Sequence, residues 1–349
     1  MKEQEKTELL SRWTAGAEHI RIVCHARPDG DAIGSGAALW HYLAHNLGKD
    51  AALLLPDAAP SYLDFALEGV RYTAGPEAAS PLMEGCDLLF CLDFNTVSRT
   101  EALEASVRAF KGRKVLIDHH IAPVTGEFDL CFSCPEASST CELLYFLLLD
   151  MPDVGGDPRR LPPLCARALM TGMTTDTNNF ANSVRPETLE MASGLLGAGV
   201  DRPFILDRLY ASGREARLRA LGDVLRNRMI ITPEGAAVTV LTGPVLEGYA
   251  LQDGETEGFV NIPLEIGKVR LSIFVREEGG ALRVSIRSKR GTSARALAVS
   301  SFHGGGHELA AGGRILMPKD IASAEQAEAF VLQTAARFLQ EQDNTDTSK

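Results

Sequence analysis

The chain has 349 residues and a formal net charge of −11 at pH 7, with 45% hydrophobic and 23% charged residues. This composition is ordinary for a folded globular protein, and the length allows two domains with separate cores. The negative charge argues against binding of duplex DNA over a broad surface, but it allows a short anionic ligand that is held locally.

The first half of the sequence alternates between helix and strand patterns. In chain order it predicts a helix over 3–17, a strand over 20–24, a helix over about 31–47, a strand over 50–55, a helix over 60–67, a strand over 87–92, a helix over 100–110 and a strand over 114–117. Most of these strands are continuously apolar, which is typical of strands that are buried on both faces. The alternation predicts an α/β fold with a parallel, doubly wound sheet.

The second half begins with helices and then changes to strands. Helices are predicted over about 139–149, 164–173, 187–198, 202–211 and 214–227, and strands over 228–232, 236–242, 269–276 and 281–287. Residues 277–280 predict a hairpin turn. We therefore expect an N-terminal domain over 1–186, a helical connector over 187–227 and a smaller α+β domain over 228–345. The connector offers apolar surface on which two copies could form a homodimer.

The charged N-terminus lacks the apolar core of a signal peptide. No apolar run approaches the ~18 residues that span a bilayer. The seven cysteines are odd in number and several lie in apolar runs, which favours free thiols in a reducing compartment. We expect a cytoplasmic protein without a membrane partner.

The turn after the first predicted strand combines residue types that bind metals. His25, Asp29 and Asp31 place one imidazole and two carboxylates within seven residues, at a strand end where α/β sheets bind ligands. Oxygen and imidazole ligands that converge from a rigid turn suit a divalent cation. An acidic, glycine-rich loop that only caps the next helix is the alternative. His41 and His45 lack a third ligand nearby, so we expect them on a partly exposed helix face.

Further acidic or histidine residues follow other elements of the N-terminal domain. Asp93 ends one predicted strand, and Asp118, His119 and His120 end the next. Asp176 is expected after a helix, in a stretch rich in Thr and Asn. Each residue could simply cap a helix. Four such positions at one edge of the sheet favour a shared site instead.

Two stretches of the C-terminal domain could bind an anion. A basic run follows a strand, although a solvated charged surface is the alternative. Three glycines between two histidines allow backbone N–H groups to approach an anion, although a plain turn is the alternative. The candidates are Arg287, Lys289, His303, Gly304, Gly305, Gly306 and His307.

These positions together resemble the motif pattern of the DHH phosphoesterase family. The pattern is His25-x-x-x-Asp29-x-Asp31, then Asp93, then Asp118-His119-His120, then Asp176. Gly304-Gly-Gly-His307 and Ala310-Ala-Gly312 are similar to the signature of the family's associated C-terminal domain. The resemblance covers residues from about 18 to 340. The two-domain length is most similar to the nanoRNase/pAp phosphatase branch.

The resemblance implies two Mn²⁺ ions, for which Mg²⁺ or Co²⁺ could substitute. One ion would be held by His25, Asp29 and Asp93, and the other by Asp31, Asp93, His119 and Asp176, so that Asp93 bridges them. Mixed imidazole and carboxylate ligands suit Mn²⁺ better than Mg²⁺. A metal pair ~3.5–4 Å apart activates a water and stabilises phosphoryl oxygens.

The remaining site residues are assigned by the same resemblance. Asp118 would orient an imidazole, and His120 would either hydrogen-bond the phosphate or protonate the leaving oxygen. Arg99 could reach a phosphate. Arg27 has no clear role. It could form a local salt bridge or contact the substrate. The active site would lie in the cleft between the two domains.

The implied function is a manganese-dependent hydrolase that degrades very short RNA oligonucleotides to mononucleotides and removes the 3′-phosphate of pAp. A phosphodiesterase for cyclic dinucleotides, or for linear pApA or pGpG, is the nearest alternative. A non-catalytic nucleotide-binding protein would be expected to lack a metal ligand. Every ligand position is filled here, which favours an enzyme.

Overall fold

The computed structural model describes residues 3–211, 213–252, 254–278 and 281–346, with side chains up to residue 344. The chain divides into two compact units, Met1–Ser212 and Gly213–Lys349. The division falls within the predicted connector 187–227. The bounds of the three predicted segments stay a prediction. No helix in the described ranges combines the length and the apolar character that crossing a membrane requires.

The first unit is built on a parallel six-stranded sheet, which confirms the predicted fold class. Its strands are β1 (His19–Cys24), β2 (Asp50–Leu55), β3 (Tyr72–Ala74), β4 (Leu88–Leu92), β5 (Arg113–Asp118) and β6 (Leu130–Ser133). Their order is β3-β2-β1-β4-β5-β6, and every neighbouring pair is parallel. The order reverses between β1 and β4, and ligands bind outside the strand ends at such a switch point.

Helices cover both faces of this sheet. They are α1 (Glu3–Gly16), α2 (Gly30–His41, continued by a π turn Tyr42–Asn46), α3 (Pro76–Ala79), α4 (Glu104–Ala109), α5 (Thr140–Leu149), α6 (Pro163–Asp176), α7 (Pro186–Gly197) and α8 (Arg202–Leu206, continued by a π turn Asp207–Ala211). Short 3₁₀ turns span Ser61–Leu67, Ser80–Met83, Val97–Leu103, Thr125–Glu127 and Pro158–Arg160. Ile22 faces one apolar core and Val23 the other, so the strands are apolar throughout.

Helices α2 and α6 cross at close range because glycines lie at their contact. A Cβ on Gly34 would be 2.7 Å from the carbonyl oxygen of Ala168, and one on Gly172 would be 3.1 Å from the Cα of Asp31. This close approach brings the end of α6, which carries Asp176, to the start of α2, which carries Asp31.

The second unit contains a mixed sheet, as expected for an α+β domain. Its strands are β7 (Ile230–Ile231), β8 (Ala236–Leu241), β9 (Leu271–Glu278), β10 (Ala281–Ser288), β11 (Gly305–Gly306) and β12 (Ala310–Ile315), in the order β11-β12-β10-β9-β8-β7. Among the described residues of this sheet, β8 and β9 are the one parallel pair. Its helices are α9 (Glu215–Asp223, continued by a π turn Val224–Arg228), α10 (Gly243–Gly248), α11 (Ala294–Ser301) and α12 (Ala327–Asp346), with 3₁₀ turns at Phe259–Glu265 and Ala324–Gln326.

Several predicted elements differ from the structure. The short edge strands β3 and β6 were not predicted, and the predicted helix 100–110 begins as a 3₁₀ turn at Val97. Asp176 was expected after a helix, but it is the last residue of α6. His41 was expected to be partly exposed and is buried, whereas His45 is exposed. β9 and β10 are antiparallel neighbours, and the two glycines of the predicted turn lie outside the described residues.

Candidate metal centre

The candidate ligands of the first unit gather where three adjacent strands end. His25 follows β1, Asp93 follows β4, and His119 follows β5. Asp93 has a φ of 64°, a left-handed conformation that Asp tolerates better than most residues. The chain therefore turns sharply at the end of β4, directly beside the switch point.

Asp29 caps α2 and also faces the candidate site, so the two alternatives that the sequence left open do not exclude each other. As the N-cap of α2, its Oδ1 accepts hydrogen bonds from the backbone N–H groups of Asp31 (3.0 Å) and Ala32 (3.1 Å). Its Oδ2 lies 3.8 Å from His25 Nε2. One oxygen caps the helix, and the other faces the candidate site.

A first group of ligand atoms consists of His25, Asp29 and Asp93. His25 Nε2 lies 3.4 Å from Asp93 Oδ2. The opposite ring nitrogen of His25, Nδ1, lies 2.9 Å from the carbonyl oxygen of Ala26, to which it donates. This backbone bond fixes the ring with Nε2 directed at the carboxylates, as in histidines that bind metals.

A second group lies on the other side of Asp93. His119 Nε2 is 3.7 Å from Asp93 Oδ1, 3.5 Å from Asp176 Oδ2 and 4.0 Å from Asp31 Oδ2. His119 Nδ1 lies 3.2 Å from the carbonyl oxygen of Ala137, so this ring is also fixed by the backbone. The two oxygens of Asp93 thus face different groups.

The charges of this cluster are strongly coupled. Burial, followed by repulsion from Asp93 and Asp176, raises the pKa of Asp31 well above its usual value. Burial acts against ionisation of Asp93, but its pairing with His25 lowers the pKa of Asp93 overall. Burial would lower the pKa of His25, but Asp29 and Asp93 outweigh it and raise that pKa to about 10. Crowded buried carboxylates of this kind are stabilised by added positive charge.

The donor set fits a pair of divalent cations. Ligand atoms that share one cation at about 2.1 Å are about 3–4 Å apart, and the two groups have nitrogen–oxygen distances of 3.4–4.0 Å. Carboxylates and imidazoles together suit Mn²⁺, Fe²⁺, Co²⁺ or Zn²⁺. The predicted ligands His25, Asp29, Asp31, Asp93, His119 and Asp176 could therefore hold metal.

Three other predicted residues form a chain of contacts beside the cluster. His120 Nδ1 donates to Asp118 Oδ1 at 2.7 Å. On the other side of the ring, Arg99 Nη1 donates to His120 Nε2 at 3.0 Å. Asp118 is fully buried, and its Oδ2 has no hydrogen-bond partner among the described residues. This contact holds Nδ1 of His120, and the role of Asp118 in the site stays a prediction.

The structure provides a local partner for Arg27. Its guanidinium forms a two-pronged ion pair with Glu101, with an Nη1–Oε2 distance of 3.0 Å. The neighbouring backbone N–H of Ala26 donates to the carbonyl oxygen of Arg99. Of the two open roles, the local salt bridge is present, and it ties the His25 turn to the segment that carries Arg99.

The candidates of the second unit have well-defined local contacts. Lys289 Nζ donates to the carbonyl oxygen of Ile266 at 2.9 Å, Arg287 donates to the carbonyl oxygen of Ile286 at 3.0 Å, and His303 Nε2 lies 3.0 Å from Asp320 Oδ2. These contacts fix where the side chains lie without assigning them a ligand.

Two of the three glycines at 304–306 are required by the local backbone. A Cβ on Gly304 would lie 1.9 Å from the carbonyl oxygen of Gly312, and one on Gly306 would lie 2.7 Å from that of Ala310. Gly305 pairs with Gly312 in the β11–β12 hairpin, which His307 closes by donating its N–H to Ala310. The turn alternative therefore accounts for two of the glycines, and anion binding stays a prediction.

Thr140, which the sequence did not predict as a site residue, contacts two of the predicted ligands. Its Oγ1 donates to Asp93 Oδ1 at 2.9 Å, and its backbone N–H donates to Asp31 Oδ2 at 2.6 Å. The only signal was the predicted helix start, since Ser139 does cap α5 through Glu142 N. The carboxylate of Glu142 accepts a hydrogen bond from Ser138 Oγ at 2.6 Å.

Comparisons with known proteins match both parts of the chain. Residues 19–173 match the family described as "DHH family, N-terminal domain", and residues 236–341 match the "DHHA1 domain". The "Bifunctional oligoribonuclease and PAP phosphatase NrnA" of Thermus thermophilus is 31% identical over 312 residues, which is 88% of each chain. The "Cyclic-di-AMP phosphodiesterase GdpP" of Geobacillus thermodenitrificans is 28% identical over 58% of this chain and 31% of its own length.

A solved structure is similar over the full length. The crystal structure of an exopolyphosphatase-related protein from Bacteroides fragilis is 32% identical, with a TM-score of 0.89, and the match covers 98% of this chain and 100% of that one. Both units therefore have the architecture of a known protein.

Proposed function

This chain belongs to the DHH family and is a hydrolase of phosphoester bonds, and we propose that its substrates are very short RNA oligonucleotides and pAp. The supporting relative is the Thermus thermophilus protein named as a bifunctional oligoribonuclease and PAP phosphatase, which aligns over most of both chains. The observation that carries the proposal is the shared carboxylate of Asp93, whose oxygens face two separate groups of ligand atoms.

We propose that these groups hold two Mn²⁺ ions. The first group would comprise His25, Asp29 and Asp93, and the second Asp31, Asp93, His119 and Asp176. When bound, the two cations would supply a water of lowered pKa and neutralise charge on the phosphoryl oxygens. Cation binding requires both imidazoles to be neutral, so uptake of metal would displace the proton that His25 carries.

We further propose that Arg99 and His120 act on the substrate. The planar guanidinium of Arg99 can bind two oxygens of one phosphate, which favours it as a phosphate ligand. Asp118 holds Nδ1 of His120, so Nε2 is the atom left to face the phosphate or the leaving oxygen. Substrate binding would draw Arg99 from His120 Nε2 to a phosphate oxygen.

The second unit is proposed to contact the rest of the substrate. The candidates remain Arg287, Lys289, His303, Gly304, Gly305, Gly306 and His307, and the residues 187–227 remain the proposed connector. The match of residues 236–341 to the DHHA1 domain supports this assignment.

Hydrolysis assays test the proposed function. A labelled ribodinucleotide, pApA and pAp are incubated with the purified chain and Mn²⁺, and then with an excess of chelator. Release of mononucleotides and loss of the 3′-phosphate of pAp, both abolished by chelation, are the expected results. Turnover of pApA alone would indicate degradation of cyclic-dinucleotide products. A metal-loaded, folded protein without turnover of any substrate would contradict the enzyme proposal.

A further inference from the structure

One short segment contacts three of the four ligands in the second group. In this segment, residues 137–141, the carbonyl oxygen of Ala137 accepts from His119 Nδ1. The backbone N–H groups of Thr140 and Cys141 donate to the two oxygens of Asp31, at 2.6 Å and 3.0 Å. The segment is the first turn of α5 and its cap, and Thr140 is fully buried.

Two side chains of the segment contact the ligands: Cys141 Sγ donates to the backbone carbonyl oxygen of Asp31 at 3.7 Å, and the Thr140 hydroxyl contacts the shared ligand Asp93. The hydroxyl donates to Asp93 Oδ1 at 2.9 Å, on the side that faces His119. The last torsion of an aspartate side chain has a broad, roughly two-fold preference, so the side chain alone does not fix the plane of its carboxylate. A donor placed on Oδ1 fixes that plane and leaves Oδ2 directed at His25.

The segment is itself anchored by a buried carboxylate. Glu142 is fully buried and accepts from Ser138 Oγ (2.6 Å), Thr188 Oγ1 (2.5 Å) and Arg185 Nε (2.5 Å). Thr188 and Arg185 lie at the start of α7, so the first turn of α5 is tied to a second helix. Thr140 therefore presents its hydroxyl from a fixed backbone.

We propose that Thr140 is a positioning residue that divides the two oxygens of Asp93 between the two cations. The inference rests on the proposed metal pair. Carboxylates that bind metals are themselves held by hydrogen bonds, and loss of such a partner costs about 10- to 100-fold in metal affinity or activity. Loss of the Thr140 hydroxyl weakens the cation held by Asp31, His119 and Asp176 more than the cation held by His25 and Asp29.

The test compares Thr140→Val with Thr140→Ser and with a matched control. Valine has nearly the shape of threonine without the hydroxyl, and serine retains the hydroxyl. Thr171→Val is the control, because Thr171 is also fully buried and its hydroxyl bonds the carbonyl oxygen of Arg167 within α6. Chelator-treated proteins are titrated with Mn²⁺ by calorimetry, and folding is checked by circular dichroism.

Wild type is expected to bind two Mn²⁺ ions. Thr140→Val is expected to bind the ion of the second ligand group about 10- to 100-fold less tightly than wild type does. Thr140→Ser restores most of that affinity, and Thr171→Val leaves it unchanged. In a His119→Asn background, which retains the first ligand group, adding Thr140→Val has little further effect on the remaining ion. On a hydrolysed substrate, Thr140→Val lowers kcat and leaves KM nearly unchanged.

The titrations decide this inference separately from the proposed function. If wild type binds two ions but hydrolyses none of the substrates, the proposed function fails, while the Thr140 variants still report on Asp93. Wild-type affinities in Thr140→Val would overturn the inference. A Thr140→Ser variant that binds as weakly as Thr140→Val would also overturn it, and so would a wild type without a second ion.

Discussion

At the scale of single residues, a carboxylate has two oxygens that can serve different partners. Oδ1 of Asp29 caps α2, and Oδ2 faces His25. The carboxylate of Asp31 accepts hydrogen bonds from two backbone N–H groups at the start of α5, and its Oδ2 also lies 4.0 Å from His119 Nε2. Capping and ligation are thus compatible, and the caps hold the carboxylates in place for a cation.

Replacing Asp93 with asparagine tests the shared ligand. Asp93→Asn removes a charge and presents an amide nitrogen to one of the two groups, so both Mn²⁺ ions should be lost in calorimetric titration. Turnover should fall by more than the roughly 10- to 100-fold that loss of an outer partner costs. Asp153→Asn is the control, because Asp153 bonds Tyr42 and Asn46 and belongs to neither ligand group. An active Asp93→Asn variant with two bound ions would refute a bridging role.

The sequence can predict a site residue when the residue's own strand places it, and cannot when the packing of distant segments does. Asp93 and His119 could be predicted because they directly follow apolar strands, and strand ends of a parallel sheet share one edge. Thr140 could not, because the direction of its hydroxyl depends on how α5 packs against the sheet. The partner of Arg27 is Glu101, 74 residues away, and a single sequence gives no means to pair them.

At the scale of elements, the position of Asp176 depends on how closely α6 packs on α2. A Cβ at Gly172 would meet Cys141 Sγ at 2.3 Å and Asp31 Oδ1 at 3.0 Å. The threonines near the end of α6 bond back to helical carbonyls, as Thr175 Oγ1 does to Gly172. The hydroxyls are thus satisfied within the helix, and α6 continues to Asp176, three residues beyond its predicted end at 173.

A Gly172→Ala variant tests this close helix crossing. The added methyl should destabilise the first unit by about 1–3 kcal/mol, which is usual for overpacking, and should weaken Mn²⁺ binding by displacing Asp31. Gly197→Ala is the matched control, since it lies at the end of α7 with nothing within 4 Å of its Cβ. Urea unfolding and Mn²⁺ titration measure the two effects. A Gly172→Ala variant as stable as wild type, with unchanged metal binding, would show that the crossing has room.

The elements that sequence periodicity predicted well are those with continuous apolar runs. β2 has its predicted bounds, β4 begins one residue later than predicted, and β5 is one residue longer than predicted at each end. β3 and β6 are edge strands of three and four residues with mixed burial, so they carry little periodic signal. Their pairing is decided by the neighbouring strand rather than by their own sequence.

At the scale of the whole molecule, the order of the strands concentrates the site. β1, β4 and β5 are adjacent, so residues that are 26 to 94 positions apart in sequence meet at one edge. The sequence predicted parallel strands but not their order, because the order is set by tertiary contacts. The net charge of −11 is compatible with an anionic substrate only if cations or arginines offset the local carboxylates.

The stability of the first unit should depend on pH through His41. His41 is 1% exposed, its Nε2 donates to the carbonyl oxygen of Glu68, and its Nδ1 has no partner among the described residues. Burial, with added repulsion from His45 and Arg167, lowers the pKa of His41 from 6.5 to about 4. The unfolded chain therefore takes up a proton below pH 6.5 that the folded chain resists until about pH 4.

The contribution of His41 to the free energy of unfolding should be fully present above pH 6.5. Because of His41, the free energy of unfolding should fall by about 1–2 kcal/mol from pH 7 to pH 5. His41→Gln removes this loss because glutamine does not titrate, and its amide can donate to Glu68. Both tryptophans, Trp13 and Trp40, lie in the first unit, so urea unfolding followed by tryptophan fluorescence reports on that unit alone. Chelator-treated wild type and His41→Gln are compared at pH 5 and pH 7. His45→Gln removes one repulsive neighbour but keeps the buried ring, so it should retain most of the loss. Equal losses in wild type and His41→Gln would mean that His41 is not the group responsible, since every other titrating group is common to both proteins.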